Sequence, residues 1–127
     1  MRYLVDTHVI IWLSTDSYNL PNRIIELIES SENEIYVCSV SLWEIAIKLN
    51  LGKLDLKRPL KMLFDDMNAD GFNILPIEDQ YLCGLLDLPY IHKDPFDRLI
   101  ISTAMAEGLT IITADENIQK YDVPWVW

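Results

Sequence analysis

Apolar and polar positions divide this chain into two alternating kinds of segment. Short runs rich in Val, Ile, Leu and aromatic residues predict five strands, at residues 2–5, 35–38, 72–75, 109–113 and 125–127. Between them, apolar residues with helical spacing predict helices. One starts at Pro21, another follows the second strand and ends at Gly52, and the others lie at residues 8–14, 59–70, 78–86, 94–107 and 115–120. Strands that are apolar throughout are typical of a parallel sheet covered on both faces. We therefore expect an α/β fold of three layers, α/β/α, with a central parallel sheet.

The helix that follows residues 35–38 carries strong start signals. Ser39 or Ser41 is expected to cap it, and Ser41 with Glu44 has the spacing of a capping box. Glu44 is also four residues before Lys48, the spacing of an ion pair along a helix. Both interpretations would give Glu44 a purely structural role.

Length and composition are those of an ordinary globular protein. The chain has 127 residues, of which 50% are hydrophobic and 24% charged, so we expect one domain spanning residues 1–127. Cys38 and Cys83 have no partner at metal-ligand spacing, and both are expected to be buried thiols. Trp12 and Trp43 share the apolar faces of their helices and are expected in the core.

Charge and hydropathy limit the location and the partners. No apolar stretch approaches the length of a membrane span, and Asp6 interrupts the region where a signal peptide would be apolar, so we expect a cytoplasmic protein. The formal net charge of -10 disfavours binding to nucleic acid. A nucleic-acid enzyme with this charge requires its carboxylates to converge on metal ions, or a basic protein partner to cover that face.

Four acidic residues from distant parts of the chain are predicted to meet at one edge of the sheet. Asp6 directly follows the first strand and Asp115 follows the fourth, while Glu44 and Asp97 lie near the starts of helices that open on the same edge. Such a cluster repels itself unless cations neutralise it, and ligation by oxygen alone suits Mg²⁺ or Mn²⁺. One or two such ions can activate water and stabilise the leaving oxygen in phosphodiester cleavage.

Each acid also has a structural interpretation. Asp94, Asp97 and Asp115 all lie at predicted helix starts, where the helix dipole and the free N–H groups favour an acid. Asp6 is harder to explain in this way, because an acid that ends an apolar strand inside a sheet is costly without a cation or hydrogen-bond donors. The combination of the four therefore indicates a site more strongly than any one of them.

The chain resembles PIN domains in four blocks that span nearly its whole length. These are VDTHVIIWL at Val5 to Leu13, SVSLWEIAIK at Ser39 to Lys48, DPFDRLIISTA at Asp94 to Ala104 and IITADENI at Ile111 to Ile118. Within the family, they are most similar to the toxin nucleases of VapBC toxin–antitoxin pairs. The resemblance implies the family's fold, in which the first strand is central and helices cover both faces.

The resemblance also implies a site and a function. The family's acids correspond to the catalytic residues Asp6, Glu44, Asp97 and Asp115, of which Asp6, Asp97 and Asp115 are assigned as metal ligands, and its polar residue near the last acid corresponds to Thr113. The implied activity is a Mg²⁺- or Mn²⁺-dependent endoribonuclease. The implied partners are an RNA substrate, a cognate antitoxin protein and a second copy of the chain.

Four other polar residues near the predicted cluster have two interpretations each. His8 follows Asp6 by two residues, and either contacts substrate or is an ordinary surface residue. Arg98 either holds a phosphate or pairs with a nearby acid, and Lys48 either lines a path for RNA or pairs with an acid. Asp94 either supports the site or only caps its helix.

Two other function classes are possible alternatives. The first is an aspartate-phosphorylating hydrolase or receiver-type switch, which also places acids at strand ends. The sequence argues against it, because a haloacid-type phosphatase needs a second Asp two residues after the first, where this chain has His8, and a receiver-type switch needs an acid pair and a mid-chain phosphoacceptor strand. The second class is a catalytically weak or inactive PIN scaffold that binds proteins. The presence of all four acids favours the enzyme, because a charge cluster is costly to keep without a use.

Overall fold

Strands and helices alternate through the computed structural model, which describes residues 1–127. The strands are β1 (Arg2–Val5), β2 (Glu34–Cys38), β3 (Asn73–Leu75), β4 (Thr110–Ile112) and β5 (Trp125–Val126). The helices are α1 (Thr7–Ser14), α2 (Asn22–Glu29), α3 (Ser39–Asn50), α4 (Leu60–Ala69), α5 (Asp79–Gly84), α6 (Pro95–Glu107) and α7 (Glu116–Gln119), with a 3₁₀ turn at Ser17–Asn19. Every predicted strand and helix is present, with small differences at the ends.

The five strands form one parallel sheet in the order β3-β2-β1-β4-β5. The central strand is β1, in which Tyr3 pairs with Ile35 of β2 on one side and with Thr110 of β4 on the other. Both the parallel sheet and the central first strand are therefore confirmed. Since all strands run the same way, their carboxyl ends share one edge, and every residue that follows a strand lies there.

Helices cover both faces of the sheet. Neighbouring residues of a strand point to opposite faces, so Leu4 and Ile111 pack in one core while Val5 and Ile112 pack in the other. The first core is completed by residues of α5, α6 and α7, including Tyr81, Ile100 and Ile118, and the second by residues of α1, α2 and α4, including Val9, Ile24 and Leu63. The predicted three-layer α/β/α arrangement is confirmed.

Helix α6 has the two ends that its sequence predicts. The Asp94 side chain accepts a hydrogen bond from the backbone N–H of Asp97 at 2.9 Å, and Pro95 occupies the first turn. At the other end Gly108 is left-handed, with φ of 66°, and stops the helix. This helix therefore holds Asp97 in a fixed place at its start.

The predicted start of α3 is wrong. Helix α3 begins immediately after β2, with Cys38 as its N-cap residue and no side-chain capping bond. Ser41 is consequently inside the first turn and fully buried, and its hydroxyl accepts a hydrogen bond from the Thr7 hydroxyl at 3.0 Å. Ser41 joins α3 to α1 instead of forming a capping box with Glu44. Similarly, Pro21 precedes α2 as its N-cap residue and is not its first residue.

Two residues expected in the core are exposed. Trp43 is 60% exposed, because it lies on the outward side of α3 and touches the edge of the Phe96 ring at 5.4 Å between centroids. Cys83 is exposed on α5, whereas Cys38 is buried as expected. Trp12 is half-buried between His8 and Trp127.

Among the helices, none has the length and apolar character that crossing a membrane requires.

Candidate active site

Asp6 lies where the central strand ends and α1 begins. One carboxylate oxygen accepts a hydrogen bond from the Val9 N–H at 2.9 Å, and the other accepts one from the Thr113 hydroxyl. The residue is only 2% exposed, and this burial raises the pKa of the Asp6 carboxyl above its ordinary value. The Asp115 charge raises it further, although less strongly. Asp6 thus occupies a place where a negative charge is costly without a cation.

Thr113 connects the acids that follow β1 and β4. While its hydroxyl donates to Asp6, the same oxygen accepts a hydrogen bond from the Asp115 N–H at 3.0 Å. Asp115 in turn caps α7 by accepting from the Asn117 N–H at 2.8 Å. Asp115 is therefore both a helix cap and a member of the cluster, so the structural and functional interpretations of this residue are compatible.

Glu44 projects from the second turn of α3. Its Oε2 atom lies 3.5 Å from Nζ of Lys48, which is the one lysine or arginine that forms an ion pair with any of the four acids. The predicted pair between these two residues is therefore present. The Oε1 atom of Glu44 is buried and has no hydrogen-bond partner. A buried carboxylate oxygen without a donor is costly, and it marks a position where a ligand is expected.

Asp97 lies in the first turn of α6, and its pKa, like that of Asp6, is raised. Burial, followed by the nearby charge of Asp94, raises the pKa of the Asp97 carboxyl from 3.8 to about 7. The charges of Asp115 and Glu44 raise it further, which means that these acids lie within electrostatic reach of one another. Acids from four separate segments thus converge at the carboxyl edge of the sheet.

A cavity of about 200 Å³ opens beside Asp6. It is lined by Asp6, His8, Trp12, Ala114 and Asp115. His8 is exposed at its rim, with its ring 5.8 Å from that of Trp12, so it is placed to meet a molecule that enters. A larger cavity of about 430 Å³ lies between α1, α2 and α4; Leu63, Met67 and Phe72 are among its lining residues, and none of the four acids lines it. We place the site at the smaller cavity because two of the four acids, Asp6 and Asp115, line it.

Arg98 forms no ion pair, so its predicted pairing with an acid is wrong, while its predicted contact with a phosphate stays a prediction. Its guanidinium is buried and donates hydrogen bonds to the Pro89 carbonyl at 2.9 Å and to the Tyr121 hydroxyl at 3.1 Å. It also lies over the Tyr90 ring, at 4.3 Å from the centroid. It pairs with no acid, because the helix turns its side chain toward the preceding loop and away from Asp97.

Two contacts at the site were missed from the sequence. His92 lies with its Nε2 atom 3.0 Å from Oδ2 of Asp97, and Thr7 reaches Ser41 behind the cleft. His92 lies two residues before Asp94 in a predicted loop, and this proximity was the available signal. Ligand atoms of His92, Asp94 and Asp97 lie within 4.8 Å of one another. Asp94 therefore caps its helix and also adds charge to the cluster.

The donor set of this cleft fits a divalent cation. Of the four carboxylates only that of Glu44 pairs with a lysine, those of Asp6 and Asp97 have raised pKa values, and one buried oxygen of Glu44 has no partner. Hard cations such as Mg²⁺ and Mn²⁺ prefer oxygen ligands of this kind, and binding one would neutralise the repulsion. Chemically, such an arrangement can bring a cation to a phosphate group.

Comparisons with known proteins agree with the fold. The chain is 26% identical over 122 residues to Ribonuclease VapC22 from Mycobacterium tuberculosis, which covers 95% of this chain and 92% of that protein. A crystal structure of VapBC2 from Rickettsia felis bound to a DNA fragment from their promoter matches with a TM-score of 0.76 and 18% identity, covering 99% of this chain and 98% of that one. VapBC-1 from nontypeable Haemophilus influenzae matches with a TM-score of 0.67 and 19% identity, covering 99% and 97%.

The sequence model of the PIN domain matches residues 3–124 of this chain. That range includes β1 from Tyr3 onward, the whole of β2, β3 and β4, and all four acids of the cleft, and it ends just before β5. This chain therefore belongs to the PIN domain family.

Proposed function

We propose that this protein is a metal-dependent endoribonuclease, the toxin of a VapBC-type toxin–antitoxin pair. The observation that carries the proposal is the convergence of Asp6, Glu44, Asp97 and Asp115 in a cleft where one buried carboxylate oxygen has no partner. A protein-binding scaffold has no use for this cluster, whose burial and mutual repulsion destabilise the folded state. The curated relative named a ribonuclease supports the same activity.

Each residue of the cleft has a part in this proposal. Asp6, Asp97 and Asp115 would hold Mg²⁺ or Mn²⁺, with Glu44 completing the acidic set. When bound, the ion would lower the pKa of a water so that hydroxide is available to attack the phosphodiester, and its charge would stabilise the leaving oxygen. Thr113 orients Asp6 through the hydrogen bond between them.

Two basic side chains flank the acids. Lys48 restrains Glu44 through their ion pair and moderates the negative charge of the cleft. His8, exposed at the rim of the cavity, is placed to contact the substrate. Since the formal net charge of the chain is -10, these side chains and the bound ions must provide most of the attraction for RNA.

A protein antitoxin is part of the proposal. The similar structures are VapBC complexes, in which the chain that resembles this one is bound to its partner. An antitoxin with basic side chains complements an acidic cleft, and a guanidinium can bind two carboxylates where a metal would otherwise bind. The homodimer implied by the resemblance belongs to the same proposal, and the mass of the purified chain in solution tests it.

Cleavage assays with and without metal test the activity. Purified protein should cut labelled single-stranded or structured RNA in millimolar Mg²⁺ or Mn²⁺, lose this activity in excess EDTA and regain it when metal is restored. Asp115→Asn protein, prepared in parallel, is the control for contaminating nucleases and should be inactive. Equal cleavage in EDTA, or equal cleavage by the control, would show that the carboxylate cluster is not the catalyst.

A further inference from the structure

His92 gives Asp97 a partner of a kind that the other acids lack. Asp6 and Asp115 receive hydrogen bonds from backbone N–H groups, and Asp6 also from a hydroxyl. Asp97 instead meets an imidazole, whose Nε2 atom is 3.0 Å from its Oδ2 atom. Both side chains are mostly buried, with 22% and 14% exposed, so the contact is shielded from water on most sides.

The loop that carries His92 is fixed independently of Asp97. The Tyr121 hydroxyl accepts hydrogen bonds from the backbone N–H groups of His92 at 2.9 Å and of Ile91 at 3.2 Å. Arg98 donates to the same hydroxyl and to the Pro89 carbonyl, and both Arg98 and Tyr121 are buried. A buried arginine and tyrosine thus hold the backbone of the loop in place, and the imidazole reaches Asp97 from that fixed base.

We propose that His92 is a positioning residue for Asp97, a role that rests on the metal site of the proposed function. A carboxylate bound to a cation is ionised and only accepts hydrogen bonds. Nε2 of His92 must therefore carry a hydrogen and donate a hydrogen bond to Oδ2 of Asp97. This bond fixes the carboxylate in one orientation and presents its other oxygen to the ion. Outer partners of this kind typically raise metal affinity or activity about 10–100-fold.

Substitutions at His92 separate the hydrogen bond from the shape of the ring. His92→Phe keeps a ring but removes the donor, whereas His92→Gln carries an amide nitrogen as many bonds from Cα as Nε2. We expect Mn²⁺, titrated by electron paramagnetic resonance, to bind His92→Phe about 10-fold more weakly than wild type, with RNA cleavage reduced to match. His92→Gln should recover most of both. Ile91→Ala, which alters an exposed apolar side chain of the same loop, should bind Mn²⁺ like wild type.

Melting curves in EDTA distinguish positioning from a merely structural role. If His92 positions Asp97, the metal-free melting temperatures of His92→Gln and His92→Phe should be close to that of wild type. The Mn²⁺ affinities of the two variants should nevertheless differ from each other. If His92→Phe does not fold, the pair His92→Gln and His92→Asn makes the same comparison, because the shorter Asn cannot reach Asp97. Equal Mn²⁺ affinity in wild type and both members of a pair overturns the proposal.

Two further outcomes also overturn it. The ligand atoms of His92, Asp94 and Asp97 are close enough for direct ligation, and strong nitrogen coupling in the spectrum of bound Mn²⁺, lost in His92→Phe, would make His92 a metal ligand instead. Wild type that binds no Mn²⁺ and cuts no RNA refutes the proposed function, and the role of His92 with it. Wild type that binds and cuts, beside an unaffected His92→Phe, refutes only the role of His92.

Discussion

Two cavities of this molecule differ in what their acidic side chains contact. In the larger one, between α1, α2 and α4, the acids Glu29, Asp66 and Asp70 are all exposed to solvent, and Asp66 forms an ion pair with Arg58. In the smaller one, at the carboxyl edge of the sheet, Asp6 is buried and has hydrogen-bond donors but no cationic partner. The acids of the larger cavity are therefore solvated, whereas Asp6 in the smaller cavity is withdrawn from water.

The difference shows that a buried carboxylate without a cationic partner, and not cavity size, marks the candidate site. An exposed ion pair contributes little to stability and costs little to maintain. A buried carboxylate costs several kcal/mol unless something neutralises it, and Asp97 and Asp94, whose oxygens approach within 4.8 Å, add mutual repulsion. The fold carries this cost only at the edge where its four family acids meet. Substitutions in the two cavities should therefore behave in opposite ways.

The largest expected effect is the loss of cleavage in Asp6→Asn. In other enzymes, loss of one hydrogen bond to the transition state costs roughly 100–1000-fold in rate. Loss of a metal ligand should cost about 1000-fold or more, because the metal acts on both the attacking and the leaving oxygen. Wild type should also be stabilised by about 1.4 kcal/mol for each tenfold excess of Mg²⁺ over its dissociation constant, and Asp6→Asn hardly at all. RNA cleavage and melting curves with EDTA or Mg²⁺ measure both. Equal Mg²⁺ shifts in the two proteins would remove Asp6 from the site.

A smaller effect is expected on how the stability of the metal-free protein depends on pH. The Asp97 pKa is raised to about 7, so between about pH 4 and 7 the folded state holds a proton that the unfolded chain releases. The stabilisation from this group is complete below about pH 4 and is lost as pH rises, by at most about 1.4 kcal/mol for each pH unit, until pH 7.

Asp97→Asn removes this group and should flatten the curve. In EDTA the variant should therefore gain stability relative to wild type as the pH rises from 5.5 to 7.5. Urea unfolding of both proteins at several pH values across this range measures the difference. Parallel curves for wild type and Asp97→Asn would mean that Asp97 is not strained in the folded state.

The smallest effect is expected in the larger cavity. Asp66→Asn removes an exposed ion pair with Arg58, and should change the free energy of unfolding by less than about 1 kcal/mol. Its RNA cleavage and its Mg²⁺ shift should equal those of wild type. This variant is also the matched control for Asp6→Asn, because both replace an aspartate that lines a cavity. A loss of cleavage in Asp66→Asn would contradict the distinction between the two cavities.

Much of the fold could be predicted because its signals are local. Strands that are apolar throughout predict a sheet covered on both faces, and Gly108 and Asp94 predict the two ends of α6. Asp6 and Asp115 could be selected because residues that follow parallel strands must share one edge, and Glu44 and Asp97 because they lie near the starts of helices in blocks that resemble the PIN family. The predicted N-cap at Ser39 or Ser41 failed because β2 leads directly into α3, leaving Ser41 inside the helix to contact Thr7.

The sequence by itself determined the order of the elements, the three layers and the edge where the acids collect, because apolar periodicity and strand direction fix these before any side chain is placed. Only the tertiary structure decided that Arg98 turns away from the cleft, that Trp43 faces outward and that His92 reaches Asp97. These outcomes depend on which side of each helix is covered and where a loop is anchored. Contacts of this kind join residues whose relative positions exist only after the helices have packed.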